Sequence, residues 1–388
     1  MSITRDSAAG FQPDVIVVGG GLIGLCCATA LARENARVMV VSAREDGAAS
    51  PAAAGLLAPS VGVTPDPARA LGIAALEMYP DYLDGLAERT GRHVPLRRGV
   101  LELAFTEAYA ATLQPVAGAH SAWLDSSAVR DLEPTLSPAV GSLLHSRDGM
   151  VDVRELLAAV DLDAARDDRV SLRIGGPVVR LHPASRPIRL ELADGRQLEG
   201  RSVVIAAGAW AGRIAGLPRP LPITPVRGQM LAIEPAPLRH VIMGPRGYVA
   251  PQTDRLVVGS TMERVGFDPK TTEAAAVQLR QCAVELSPAL ASHRLLSHWS
   301  GLRPMTPDLL PIVGEDPDVP GVFYACGHSR NGILLAPLTG MVIAELLTRG
   351  ATSLDVSPWA LNPRGIEGAK GVEGVEVKSR PPRHPRHP

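Results

Sequence analysis

The sequence predicts an α/β fold, α+β when the whole chain is counted. Three observations carry that expectation. Val15–Val18 is an unbroken β-branched run, the pattern of a strand covered on both faces of a parallel sheet. It runs into Gly19-Gly-Gly21-Leu22-Ile23-Gly24 and a helical stretch to Arg33, and the apolar run at 38–41 closes a βαβ unit of about 30 residues. Far downstream, Val203-Val-Ile-Ala-Ala-Gly208 repeats the device of a buried strand ending in a glycine turn, while strand patterns dominate 223–261.

The other elements follow in order. Residues 48–59 are nearly all small and apolar, which suits either a plain flexible loop or a loop packed on a flat ligand. Helical composition covers 68–90 and 107–117, with a strand at 99–105 between them. Residues 153–165 read as a helix, and 170–174, 178–181 and 188–192 as short strands. Asp194-Gly195 marks a hairpin into Gln197-Leu-Glu. Helices are expected at 272–286 and 335–347. From Asn362 the chain turns to Gly, Glu, Lys, Arg, Pro and His, a composition that buries no core, so 362–388 is expected to be a disordered tail with solvated histidines.

At 388 residues the chain suffices for two domains or one large one. A net charge of −1 gives no reason to expect nucleic acid or an anionic membrane as partner. Cys26, Cys27, Cys282 and Cys326 lack metal-ligand spacing, and the first two are adjacent in one helix, so reduced buried thiols and no metal are expected. Residues 1–13 lack a basic start followed by an apolar core, unlike a signal peptide. The apolar stretch 15–32 is broken by Gly19, Gly20, Gly21 and Gly24, unlike an integral membrane segment. A soluble, cytoplasmic protein is the expectation.

The glycine turn has a mechanical meaning. Gly19 permits the tight turn, Gly21 lets backbone approach a pyrophosphate, and Gly24 lets helix and strand pack closely. The helix N-terminus adds free N–H groups and a favourable dipole. Such a turn is normally followed by an acidic residue at the end of the second strand, which accepts from the adenosine ribose. Here that position is Ser42, followed by Ala43 and Arg44, with Glu45 three residues late. Serine can still hydrogen-bond a ribose hydroxyl, without charge assistance, so weaker adenosine binding is expected.

Further segments complete a pattern: Ala52-Ala-Ala-Gly55-Leu-Leu-Ala-Pro59, Pro225-Val-Arg-Gly-Gln229, Val258-Gly-Ser-Thr-Met-Glu-Arg-Val-Gly-Phe267, Gly301-Leu-Arg-Pro-Met-Thr-Pro-Asp308 and Gly327-His-Ser-Arg-Asn-Gly-Ile-Leu-Leu-Ala-Pro337. With these, residues 14 to about 350 resemble the D-amino-acid-oxidase-like FAD-dependent oxidoreductases, and within them the glycine-oxidase branch of thiamine biosynthesis. The resemblance implies a Rossmann-like FAD-binding domain built from the discontinuous segments 13–60, 150–222 and 300–350. It also implies a substrate-binding domain from 61–149 and 223–299 with a mixed, mostly antiparallel sheet. FAD would be non-covalent. A nicotinamide dehydrogenase would account for the first motif only.

For individual residues, a guanidinium forks onto a carboxylate bidentately, which makes Arg303 the lead candidate for gripping the substrate; a salt bridge within the sheet is the structural alternative. Tyr248 would add a hydroxyl to that carboxylate, wall the pocket, or pack in the core. Met262 matches a pocket-wall position, and Arg330 would contact the flavin, the amine side of the pocket, or only a carbonyl. In family terms Asn331, Gly332, Ile333 and Leu334 bring a helix N-terminus to the flavin. His328 and Ser329 belong to the same cofactor motif, with His328 read mainly as a structural loop residue. Further cofactor contacts implied are Leu22, Ile23, Ser42, Ala43, Ala49, Ser50, Ala54, Gly55, Leu56, Val178 and Gly208.

The implied reaction is oxidation of a small amino acid or amine by hydride transfer from Cα–H to flavin N5, with O2 as electron acceptor. Some relatives activate O2 with a lysine, and Lys270 is the only lysine before the tail. A D-amino-acid or D-proline-like dehydrogenase using another acceptor is therefore the alternative, and a non-catalytic flavoprotein subunit a third reading. A homo-oligomer is a family-based expectation.

Overall fold

The computed structural model describes residues 11–43, 45–62 and 69–361. The tail from Asn362 and Arg44 lie outside the described residues. β1 (Val15–Val18) is buried at every position, α1 (Leu22–Arg33) follows the glycine turn, and β2 (Val38–Ser42) returns parallel to β1 in the register Val15↔Val38. The turn is tight because side chains are missing. A Cβ on Gly24 would overlap the Gly19 carbonyl oxygen, and Gly19, at φ 121, has the Ala206 carbonyl where its own Cβ would go.

The small-residue stretch, expected to be a loop, contains α2 (Ala49–Ala52) and β3 (Leu56–Leu57). α3 (Arg69–Thr90) and β4 (Arg97–Ala104) come next. The helix expected over 107–117 divides. α4 (Glu107–Leu113), capped by the Thr106 hydroxyl accepting from Tyr109 N–H, gives way to a 3₁₀ turn at Gln114–Val116. Pro115 supplies no N–H to continue the α-helical ladder.

Sequence periodicity missed β5 (Ser121–Asp125), α5 (Ser126–Leu132) and β6 (Gly141–Met150). β6 escapes the alternation rule because it buries polar groups in pairs. His145 Nε2 lies 3.2 Å from Glu102 Oε2 and its Nδ1 2.8 Å from Ser121 Oγ; Asp148 accepts from the Ser60 N–H at 2.9 Å and the Ser60 hydroxyl at 2.8 Å. Each pair removes the cost of an unpartnered buried group.

α6 (Val153–Arg166) leads to β7 (Val170–Ile174), and β8 (Val178–His182), β9 (Ile188–Leu192) and β10 (Gln197–Gly200) form a three-stranded antiparallel sheet. β11 (Ser202–Ile205) comes back beside β1, followed by a 3₁₀ segment, Gly208–Arg213. The strands expected in 223–261 are β12 (Thr224–Ile233), β13 (Val241–Gly244), β14 (Gly247–Pro251) and β15 (Leu256–Gly259). α7 (Glu273–Leu286), β16 (Leu295–Met305), β17 (Ile312–Glu315), β18 (Val322–Cys326) and α8 (Gly332–Arg349) complete the path.

The central sheet runs β17-β18-β11-β1-β2-β7, with only β17 antiparallel, so residues from near both ends of the chain share one sheet. Alternate residues of β1 serve two cores. Val15 and Val17 pack with α1, α3, α6 and α8; Ile16 and Val18 pack with the three-stranded sheet. Each such side chain removed from water contributes roughly 1.5–3 kcal/mol. The larger sheet runs β16-β12-β15-β14-β13-β4-β6-β3 with β5 on β6, antiparallel except at β13–β4. α8 is long and apolar enough to cross a bilayer by length and composition, yet most of it is buried against the core. Gly340 brings it onto α1, since a Cβ there would overlap the Cys26 carbonyl.

Candidate active site

A cavity of about 1200 Å³ opens where the C-terminal ends of β1, β2, β11 and β18 face the larger sheet. That edge of a parallel sheet is where crossover loops leave space for ligands. The volume exceeds the roughly 300–1,000 Å³ typical of pockets for single small molecules. It suits an extended ligand with room beside it.

One end is made of backbone. Gly19, Gly21 and Ile23 line it at the start of α1, and Ser42, Ala43 and Glu45 line it after β2. The Ser50 hydroxyl accepts from the Leu22 N–H at 3.1 Å, which holds α2 over the helix end. Ala49, Ala54, Gly55, Leu56, Val178 and Gly208 also reach the cavity. Gly208 has φ 54 and open space where a Cβ would stand. Three residues expected at the cofactor do not line it. The Leu22 and Leu334 side chains are buried in the core, and Gly24 is spent on the helix–turn contact with Gly19.

The other end is made of side chains. Arg303 Nη1 donates to the Thr261 carbonyl at 3.1 Å and Nη2 to Ser260 Oγ at 2.7 Å. Among the described residues it has no carboxylate partner, so the salt bridge within the sheet is not formed. Burial pushes its pKa down; the neighbouring Tyr248 opposes that shift and Arg330 adds to it. The Tyr248 hydroxyl lies 3.6 Å from Met230 Sδ, and burial raises its pKa. A half-buried guanidinium with neutral partners and a second cation nearby is a site that gains when an anion arrives.

Hydrogen bonds explain why the two distant arginines meet. Ser329, at φ 51, donates its N–H to the Pro304 carbonyl at 3.0 Å, and its Oγ accepts from the Thr306 N–H at 3.3 Å. The 327–331 loop is thereby zipped onto the strand that carries Arg303. Arg330 is exposed; Asn331, Gly332 and Ile333 open the N-terminus of α8 on the cavity. His328 also lines the cavity, but its Nε2 sits 2.9 Å from Thr339 Oγ1, and burial depresses its pKa from 6.5 to about 3. It is neutral across the ordinary pH range and ties the loop to α8. Met262 lines the cavity while remaining 55% exposed, which places it at the rim.

Sequence reasoning did not single out Ser260, although it lies within the segment 258–267, nor Trp210 and Arg213, which line the cavity and have Phe267 packed against them. The Trp210 and Phe267 rings stand 5.7 Å apart and the Arg213 guanidinium lies 4.9 Å from the Phe267 ring centre. Trp210 directly after a glycine turn, in a chain with 3% aromatics, was the available signal.

A parallel sheet with a glycine turn at its ligand edge and a cavity large enough for an extended ligand are the marks of a dinucleotide-dependent enzyme. Residues 14–346 match the family of FAD dependent oxidoreductases known as DAO, and the chain belongs to that family. The chain is 34% identical to the glycine oxidase of Geobacillus kaustophilus over 90% of its own length and 96% of the relative's. It is 35% identical to the bifunctional protein ThiO/ThiG of Synechocystis sp., covering 86% of itself but only 51% of that protein, about half its length. The crystal structure of the Geobacillus kaustophilus glycine oxidase superposes with a TM-score of 0.85 at 32% identity, covering 91% of this chain and 99% of that one. The residues present fit FAD, because Gly19, Gly21 and Gly208 line the cavity with backbone and nothing stands where a Cβ on Gly208 would be.

Proposed function

We propose that this protein oxidises glycine or a similarly small amino acid or amine, with O2 as the final oxidant. The carrying observation is Arg303, held by Ser260 and Thr261 inside the cavity with no carboxylate of its own among the described residues. The names of the similar proteins support the substrate class. Gly19, Gly21, Ser42, Ala43 and Gly208 would hold the adenine and phosphate part of FAD, and Asn331–Ile333 its ring. Bound FAD would supply the acceptor for the hydride that leaves Cα.

The protein's own groups bind and orient. The Arg303 fork takes the carboxylate, Tyr248 adds a hydroxyl beside it, and the pair fixes the direction of the Cα–H bond. With the Arg303 charge matched by the carboxylate, the positive Arg330 nearby favours the neutral amine, whose proton leaves to solvent on binding, so no side-chain base is invoked. Loss of the hydride from the neutral amine gives an iminium, which passes a proton to solvent as the imino acid, and water converts this to a 2-oxo acid and ammonia or an amine. Labour would divide along the chain, with 13–60, 150–222 and 300–350 forming the cofactor domain and 61–149 and 223–299 the substrate domain, while Arg303 and Arg330 reach the substrate from the 300–350 segment.

One observation favours the dehydrogenase alternative. Among the described residues no lysine lines the cavity; Lys270 is exposed, with its backbone N–H on Asp268 at 3.0 Å. Anaerobic addition of glycine, sarcosine or D-alanine to the yellow protein should bleach its flavin absorbance, and air should restore it with release of H2O2. Absence of bleaching with every amine would sink the enzymatic reading, and bleaching that air does not reverse would select the dehydrogenase.

A further inference from the structure

The segment Pro225-Val-Arg-Gly-Gln229 contributes only Gly228 to the cavity lining, yet its other polar residues are buried and heavily bonded. We infer that Arg227, Gly228, Gln229 and Glu263 form a positioning cradle that sets the direction of the Arg303 guanidinium, and with it the affinity of the site for a carboxylate. The inference rests on the reading of Arg303 as the substrate anchor.

Alternation along β12 assigns the parts, because residues 227 and 229 face one side of the strand and 228 the other. On the first side everything converges on the Glu263 carboxylate. Arg227 Nη2 and Nε donate to Oε2 at 2.5 and 3.2 Å, while Gln229 Nε2 and Thr261 Oγ1 donate to Oε1 at 2.8 and 2.5 Å. Thr261 Oγ1 in turn accepts the Gln229 N–H at 2.8 Å, and the backbones of Arg227 and Glu263 exchange two hydrogen bonds of 2.9 Å. Outward, Gln229 Oε1 accepts from the Thr272 N–H at 2.8 Å and Arg227 Nη1 donates to Asp268 Oδ2 at 3.1 Å. Both oxygens of Glu263 are engaged, by Arg227 and Gln229 from β12 and by Thr261 just after β15, and the α7 cap Thr272 holds Gln229 in turn.

What this network pins is the segment that holds Arg303. Ser260 Oγ and the Thr261 carbonyl take one donor from each Nη of its guanidinium. On the opposite face of β12, Gly228 supplies the bed. A Cβ there would overlap Nη1, Cζ and Nη2 of Arg303 together, so the guanidinium lies flat on the glycine. Pairing of β12 with β16, Val226 opposite Arg303 and Gly228 opposite Gly301, delivers the side chain to that bed. Direction matters because a fork binds a carboxylate strongly only when both N–H groups point at it.

Acetate, a carboxylate without an oxidisable amine, is the probe, and its binding to the FAD-loaded protein is read from the shift of the flavin spectrum. Glu263→Gln and Gly228→Ala should each weaken acetate about tenfold and raise KM for sarcosine by a similar factor, with a smaller change in kcat. Arg303→Lys should weaken acetate more. Unchanged acetate binding in Arg303→Lys would refute the anchor reading itself. Weakening there, with wild-type binding in both cradle variants, would refute the cradle alone. A fall in melting temperature and kcat with KM and acetate affinity preserved would also overturn it, since that pattern marks a merely structural role. Gly228→Ala decides the matter if Glu263→Gln does not hold flavin, because the three atoms nearest its Cβ all belong to the movable end of Arg303.

Discussion

At one end of the cavity, Gly19, Gly21 and Gly208 take side chains away so that backbone can line the space; at the other, Arg303, Tyr248 and Arg330 put side chains in. The first end needs only N–H groups, a helix dipole and room, because phosphates and a flat ring are met by backbone. On the function proposed above, the second distinguishes a small carboxylate from water, which takes directional donors with no carboxylate of their own among the described residues. Tolerance to substitution should differ accordingly. At the backbone end a variant fails by adding atoms, and at the side-chain end by removing them.

Gly24→Val should show the largest effect. Its Cβ would overlap the Gly19 carbonyl, so α1 must move, costing about 3 kcal/mol and the capacity to retain FAD. Melting temperature and bound flavin after gel filtration report both. Retained flavin at wild-type stability would show that the tight turn is dispensable.

Arg303→Lys follows, with an expected loss of about a hundredfold in kcat/KM, as for a buried charge stripped of its bidentate geometry. The yellow colour should persist, which separates the two ends of the cavity in one variant. Equal turnover would place carboxylate recognition elsewhere.

His328 tests the joint between the ends. Burial holds its folded pKa near 3 against an ordinary 6.5, so the unfolded chain takes up the proton more readily between those values. The stability contributed by the neutral ring is complete above pH 6.5 and is lost as pH falls toward 3, by about 1.4 kcal/mol per unit. His328→Asn should flatten the decline in melting temperature between pH 7 and pH 5; an unchanged slope would remove His328 as its source.

Ser42→Asp should have the smallest effect, tightening FAD about fivefold through a charge-assisted hydrogen bond to the ribose. Unchanged affinity by flavin titration would show that the ribose is held by other groups and that this end depends on backbone alone.

The same contrast sorts what the sequence could show. Gly19, Gly21 and Gly24 were legible because a glycine turn between a buried strand and a helix has fixed spacing. Four strands of the central sheet, β1, β2, β7 and β11, were legible, β1 because it is apolar at every position as burial on both faces demands; β17 and β18 of the same sheet were not read from the sequence. β6 was not, since its buried His145 and Asp148 look like surface residues until Glu102 and Ser60 are placed against them. Arg303, Tyr248 and Arg330 were named from motifs, but their meeting depends on β12–β16 pairing and the Ser329–Pro304 hydrogen bond, contacts that sequence spacing does not encode. Ser260 was not singled out because its role exists only in relation to Arg303.

If Arg303 makes the side-chain end a carboxylate site beside bound FAD, the wild type and Arg303→Lys should part on whether the amine carries a carboxylate. Anaerobic half-reactions with glycine and with methylamine, in wild-type protein and in Arg303→Lys, test it most directly. Glycine should bleach the wild type, methylamine should do so far more slowly, and both amines should react at near-equal slow rates in the variant. Equal rates for glycine and methylamine in the wild type, or a preference for glycine that survives in Arg303→Lys, would contradict it.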